Sequence, residues 1–136
     1  MRLLALAVSL SWVAMTAAAP APDAKSADKA YEQCLNRASS NLDFAKCGAT
    51  YLNDLDVVLN AAWKRTYSSL DQQGKKELLQ EQRAWLRFKD ASCVLWAKGP
   101  GREGQVLHFY GCRGSIIGAR ISDLNGIYEL MHQDRR

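Results

Sequence analysis

The run Gln82-Arg83-Ala84-Trp85-Leu86-Arg87-Phe88-Lys89-Asp90-Ala91-Ser92-Cys93, inside the longer stretch from Lys76 to Ala97, decides the fold class. At about 100° per residue Leu78, Leu79, Trp85, Leu86, Cys93 and Trp96 gather on one side of a helix, which the two-residue period of a strand cannot produce. The stretch therefore predicts a helix that organises the chain, and periods of the same kind on either side predict an all-α protein. Gln82 and Lys89 interrupt the apolar side of this helix and require partners or a route to water.

Before this stretch, the residues Tyr51, Leu52, Leu55, Val58, Leu59, Ala62, Thr66 and Leu70 keep a helical period from Asp43 to Leu70. Gln72-Gln73-Gly74 reads as the turn between the two helices, and Ser39-Ser40-Asn41 as the cap of the earlier one. A short helix from Ala27 to about Arg37, capped by Ser26, precedes it. After it, Lys98-Gly99-Pro100-Gly101-Arg102-Glu103-Gly104 reads as a loop, followed by a last helix from Gln105 to His132. The apolar side of that helix carries Phe109, Cys112, Ile116, Leu124, Ile127 and Met131, with Arg120 in their midst. Gly111, Gly114, Gly118 and Gly126 weaken it by about 1 kcal/mol each relative to alanine and give neighbouring elements room to approach.

Short turns between long helices favour antiparallel neighbours. The expected architecture is an up-and-down antiparallel bundle of three long helices plus a short N-terminal one. Folding the chain at Gly74 and Gly101 brings Asn60, Gln82 and Arg120 to one level, which predicts a buried polar layer. The same folding puts Cys34, Cys47, Cys93 and Cys112 at one end of the bundle, where Cys34 with Cys47 and Cys93 with Cys112 are the expected bridges. Four cysteines allow three connectivities, and clustering leaves the other two open. Each expected bridge closes a loop of about fifteen residues, worth ~3 kcal/mol in the chain-entropy description.

Arg2, the apolar run Leu3 to Met15 and the small residues Ala17-Ala18-Ala19 have the layout of a secretory signal peptide, assigned to residues 1–18. Residues 19–26 follow as a flexible linker, and 27–136 form one helical domain. Once the leader is removed, no remaining stretch is long and apolar enough to span a membrane. An exported chain with four cysteines, none in a C-x-x-C pair, is expected to hold disulfides rather than zinc.

The formal charge of the whole chain is only +4. Lys and Arg alternate with Asp and Glu, without the clustered basic stripe of a nucleic-acid binder, so no nucleic-acid partner is expected. No nucleophile elbow, zinc-protease helix or phosphate loop is present, and His108 and His132 are the only histidines. Asp54 and Asp56, the nearest approach to a pair of acids, read as surface residues. No enzyme, cofactor or metal site is implied.

Leu59-Asn60 with an aromatic at Trp63, then Gln82-Arg83-Ala84-Trp85-Leu86, Asp90, Cys93, Cys112 and Arg120, resembles the LprI-like lysozyme-inhibitor domain family over about Tyr31 to Met131. Two positions depart from the pattern: Trp63 stands where tyrosine is common, and Lys89 where arginine is common. A lysine at 89 lacks the planar fork that a bidentate pairing needs. The resemblance implies a periplasmic or secreted inhibitor that occludes the groove of a lysozyme-type muramidase without covalent chemistry. Arg83, Arg87 and Asp90 on one flank of their helix, and Asp56, Trp63 and Tyr67 on a half-polar stripe of the preceding one, are the candidate partner-binding residues. The competing reading is an envelope module that binds another periplasmic protein or an anionic polymer through Lys75, Lys76, Arg83 and Arg87.

Overall fold

The computed structural model describes residues 23–98 and 102–133. Four helices account for most of them: α1 (Ala24–Leu35), α2 (Asn41–Ser69), α3 (Gln72–Ala91) and α4 (Arg102–Gln133), with a 3-10 turn at Trp96–Lys98 before α4. Among the described residues there is no strand, and the chain is all-α. The signal peptide expected at 1–18 lies outside the described residues.

Capping chemistry sets boundaries that the apolar period misplaces. The carboxylate of Asp23 accepts the Ser26 amide at 2.7 Å, so α1 starts at Ala24 and takes the last three residues of the expected linker. It ends at Leu35, two residues before Arg37. Ser40 caps α2: its hydroxyl donates to Asp43 Oδ2 at 2.7 Å and accepts the Asp43 amide at 3.2 Å. The bond that the Ser40 hydroxyl donates, with one from the Ser39 amide, holds the Asp43 carboxyl below its ordinary range. The turn between α2 and α3 is Leu70-Asp71 rather than Gln72-Gln73-Gly74. Asp71 accepts the Gly74 amide at 2.8 Å, which recruits those three residues into the first turn of α3.

The helix expected to reach Ala97 stops at Ala91. The amide and hydroxyl of Ser92 both donate to the Phe88 carbonyl, at 2.9 and 2.7 Å, and Cys93 then takes a left-handed conformation with φ 69°. Cys93 and Trp96 therefore leave the helix side on which the sequence places them. The stretch from Lys76 to Ala97 is not what organises the fold. Leu78 is the sole buried residue of α3, whereas Leu79 and Leu86 are 36% and 41% exposed.

The core is instead the pairing of α2 with α4, the most extensive in the molecule. Leu55, Val58, Leu59 and Ala62 of α2 meet Ile117, Ile121 and Leu124 of α4, with Ala27 from α1 and Leu78 from α3 closing the sides. Contacts run in step along the two helices: Gly48 meets Tyr110, Tyr51 meets Gly114, and the Thr66 hydroxyl sits 2.9 Å from both the Ala62 and Leu124 carbonyls. Thus α2 and α4 are parallel, each antiparallel to α3 between them in sequence, as an up-and-down bundle requires. The α2 residues facing α1 (Val58, Ala62, Arg65) and those facing α3 (Asp56, Asn60, Trp63) lie on opposite sides of the helix.

Two glycines make the α2–α4 approach possible. A Cβ on Gly48 would enter the Tyr110 ring and one on Gly114 the Tyr51 ring, so each helix seats a tyrosine on the bare backbone of the other. Tyr51 also stacks on Tyr31 of α1 with centroids 4.3 Å apart and donates its hydroxyl to Asp28 at 2.7 Å. Burial, then the Asp28 carboxylate, pushes the Tyr51 hydroxyl well above its ordinary range. The disulfides are Cys34–Cys47 and Cys93–Cys112, the pairs expected from folding the chain back on itself, both at the end of the bundle where α2 and α4 begin. Among the described residues no helix is long and apolar enough to cross a membrane.

Candidate functional site

α3 touches α2 and α4 only sparsely along its backbone, so long side chains fill the space between. The central one is Arg120, which α4 sends under α3 and which is 3% exposed. Its Nε donates to Gln82 Oε1 at 2.9 Å, its Nη1 pairs with the carboxylate of Glu81, and its guanidinium carbon lies 6.0 Å from the Trp85 ring centroid. Nη2 is buried with no hydrogen-bond partner among the described residues. Above this floor, Asp56, Leu59, Asn60 and Trp63 of α2 face Gln82, Trp85, Leu86 and Lys89 of α3 across a groove of about 300 Å³. Lys89 places its Nζ 6.0 Å from the Trp85 ring, so that indole has two cations near it.

Of the polar layer expected from sequence, Gln82 and Arg120 are bonded directly, whereas Asn60 is exposed in the groove wall. Glu81 takes the place given to Asn60. The antiparallel register of α3 and α4 sets residues 81 and 82 opposite 120, and that register was the only signal that could have found it. Trp63 and Tyr67 stack with centroids 5.5 Å apart, and Lys75 Nζ lies 5.7 Å from the Tyr67 ring. Asp56, Trp63 and Tyr67 are thus half-buried against α3. Arg83 and Arg87 are exposed on the outer flank of α3, with no ion pair among the described residues. Asp90, expected to share their surface role, is tied to Lys89 at 3.3 Å and to Arg113 of α4 at 3.5 Å.

The family described as Lysozyme inhibitor LprI matches residues 21–124. The chain belongs to the LprI family. No curated protein matches it, and no solved structure does. The LprI match takes in the whole of α1, α2 and α3 and the part of α4 that carries Arg120, hence the groove, its floor and both disulfides. The two departures from the LprI-like pattern have local consequences in the structure. Trp63 fills the groove wall and stacks on Tyr67, and Lys89 reaches Asp90 as a single point charge.

His108 lies against the Trp96 ring at 5.4 Å, and His132 bonds the Tyr128 carbonyl through Nδ1 at 2.8 Å, both away from the groove. Asp54 and Asp56 remain half-exposed on α2. Among the described residues no His, Cys, Asp and Glu gather as metal ligands.

Proposed function

We propose that this protein is an exported, non-enzymatic inhibitor that closes the substrate groove of a lysozyme-type muramidase by surface contact. The LprI match over residues 21–124 carries the reading. The geometry supports it through what is sealed and what is left open: the guanidinium of Arg120 is engaged inside the bundle, while Arg83 and Arg87 stand in water beside the part-exposed Leu79 and Leu86. Paired groups hold the helix in place; unpaired ones are available to a partner. Asp56, Trp63 and Tyr67 supply the neighbouring half-polar edge on α2. Two disulfides fit the oxidising environment of the periplasm or the outside of the cell.

Common lysozymes are strongly basic, so a chain of formal charge +4 gains no attraction from net charge and must dock through local complementarity. The exposed, unpaired Arg83 and Arg87, with Lys76 exposed on the same helix, favour one further reading: an envelope module that binds an anionic polymer or another envelope protein. Clearing of a peptidoglycan suspension by lysozyme, followed with and without the purified protein, separates the two. Inhibition that saturates near one inhibitor per enzyme is the expected result. Unchanged clearing in the presence of excess protein, with the protein sedimenting on anionic polymer, would establish the second reading instead.

A further inference from the structure

Between α3 and α4 the chain exposes apolar surface for which folding has no use. Leu95 is 82% exposed, Trp96 56% and Val94 45%, and Phe88, one turn earlier on α3, is 58% exposed. A concentration of apolar side chains on so short a segment marks a contact site. The segment is also held rigidly. The Cys93–Cys112 bridge fastens it to α4, Arg113 Nη2 donates to the Ser92 carbonyl at 3.3 Å, and amides of Ala97 and Lys98 close the turn on the carbonyls of Cys93 and Leu95 at 3.3 and 3.1 Å. Trp96 rests against His108 behind it. Its conformational entropy is thus given up on folding, not on association, which is the condition for tight binding by a small contact.

Resting on the muramidase-inhibitor reading, we infer that the tip Val94–Lys98 is the element that enters the enzyme's groove, with Leu95 as its apolar anchor and Lys98 as its cation. A glycosidase of this class flanks the scissile bond with two carboxyl groups, so the floor of its groove is acidic, while ligand clefts are walled mainly by apolar and aromatic side chains. From Ala91 to Lys98 the chain carries no acid, and Lys98 is its one charge. An apolar tip ending in a lysine complements such a cleft locally, even though the two proteins share a positive net charge. Arg83 and Arg87, further back along α3, fall where the rim of the interface would be.

The test is inhibition of a common lysozyme by the full chain and by Leu95→Asp, Lys98→Glu and Leu130→Ser. Leu130 is 59% exposed near the other end of α4 and serves as the control. Leu95→Asp should raise the inhibition constant about thirtyfold or more, as loss of a central apolar anchor does. Lys98→Glu should raise it less and chiefly slow association, and Leu130→Ser should leave it unchanged. All three side chains lie in water, so melting temperatures should match the parent and a folding defect is separable from a contact defect. If the parent inhibits and Leu95→Asp inhibits equally well, the tip is not the contact and only this inference falls. Failure of the parent itself to bind or inhibit lysozyme removes the inhibitor reading and the inference with it. Loss of binding to anionic lipid vesicles in Leu95→Asp, with inhibition intact, would make the tip a membrane contact and overturn the assignment.

Discussion

Replacing Arg120 by alanine and, separately, by methionine distinguishes what this buried arginine contributes as a charge from what it contributes as volume. The side chain is 3% exposed, bonded to Gln82 at 2.9 Å and paired with a Glu81 whose own side chain is 55% exposed. Loss of the Gln82 bond costs about 1 kcal/mol. The ion pair is discounted for the solvent around Glu81 and is worth roughly 0.5 kcal/mol. The void left by alanine is the largest contribution, about 2 to 3 kcal/mol by analogy with buried methionine truncations. Arg120→Ala should therefore destabilise by about 4 kcal/mol.

Methionine keeps an unbranched apolar chain in the space of the arginine's buried stem and leaves no comparable void. It also relieves the burial of Nη2, which has no partner among the described residues. Gln82 is only half-buried and opens onto the groove, so water can replace the lost donor. The expected cost is about 1 kcal/mol. For a domain of this size the two variants should melt about 10–15 °C and less than ~5 °C below the parent, by far-UV circular dichroism with urea unfolding as a check. Equal losses would show that the charge network rather than packing holds α3 to α4, and would refute the volume argument.

Gly114→Ala forces a methyl group into the Tyr51 ring and should destabilise by about 2 kcal/mol, whereas Gly126→Ala, with nothing within 4 Å, should stabilise by about 0.5 to 1 kcal/mol; urea midpoints report both. Removing the Cys34–Cys47 bridge with alanines should cost about 3 kcal/mol, measured the same way. Tyr51→Phe should lose about 1 kcal/mol for the bond to a solvent-exposed Asp28. Because the folded Tyr51 hydroxyl titrates above its unfolded value, its contribution is complete below about pH 10 and is lost as pH rises toward the folded value. The parent should therefore show a steeper alkaline loss of stability than the phenylalanine variant, and identical alkaline slopes would contradict the raised pKa.

What the sequence could and could not convey follows from where each helix keeps its apolar residues. On α2 the buried Leu55, Val58, Leu59, Ala62 and Thr66 form one stripe with polar residues opposite, so period and burial agree. On α4 apolar and glycine positions occur all round, and no face stands out. The expected side took in Ile116 and Met131, which are half-buried and 43% exposed, and missed Ile117 and Ile121, which are buried. α3 misleads in the opposite sense, because its apolar stripe, interrupted only by Gln82 and Lys89, suggests a central helix. Much of that stripe lies outside the α2–α4 core: Leu79 and Leu86 remain partly in water, Cys93 is buried beyond the helix in its bridge to Cys112, and Trp96 belongs to the exposed tip. A periodic pattern records that a face is apolar, not what will cover it. On α2 the cover is α4. On α3 the bundle covers only part of the stripe, with Leu78 in the core and Trp85 packed against it. Arg120 shows the converse. A charge at the centre of an apolar pattern was readable as a demand for partners, and the antiparallel fold supplied Gln82, but the choice of Glu81 over Asn60 rested on a register that composition does not encode.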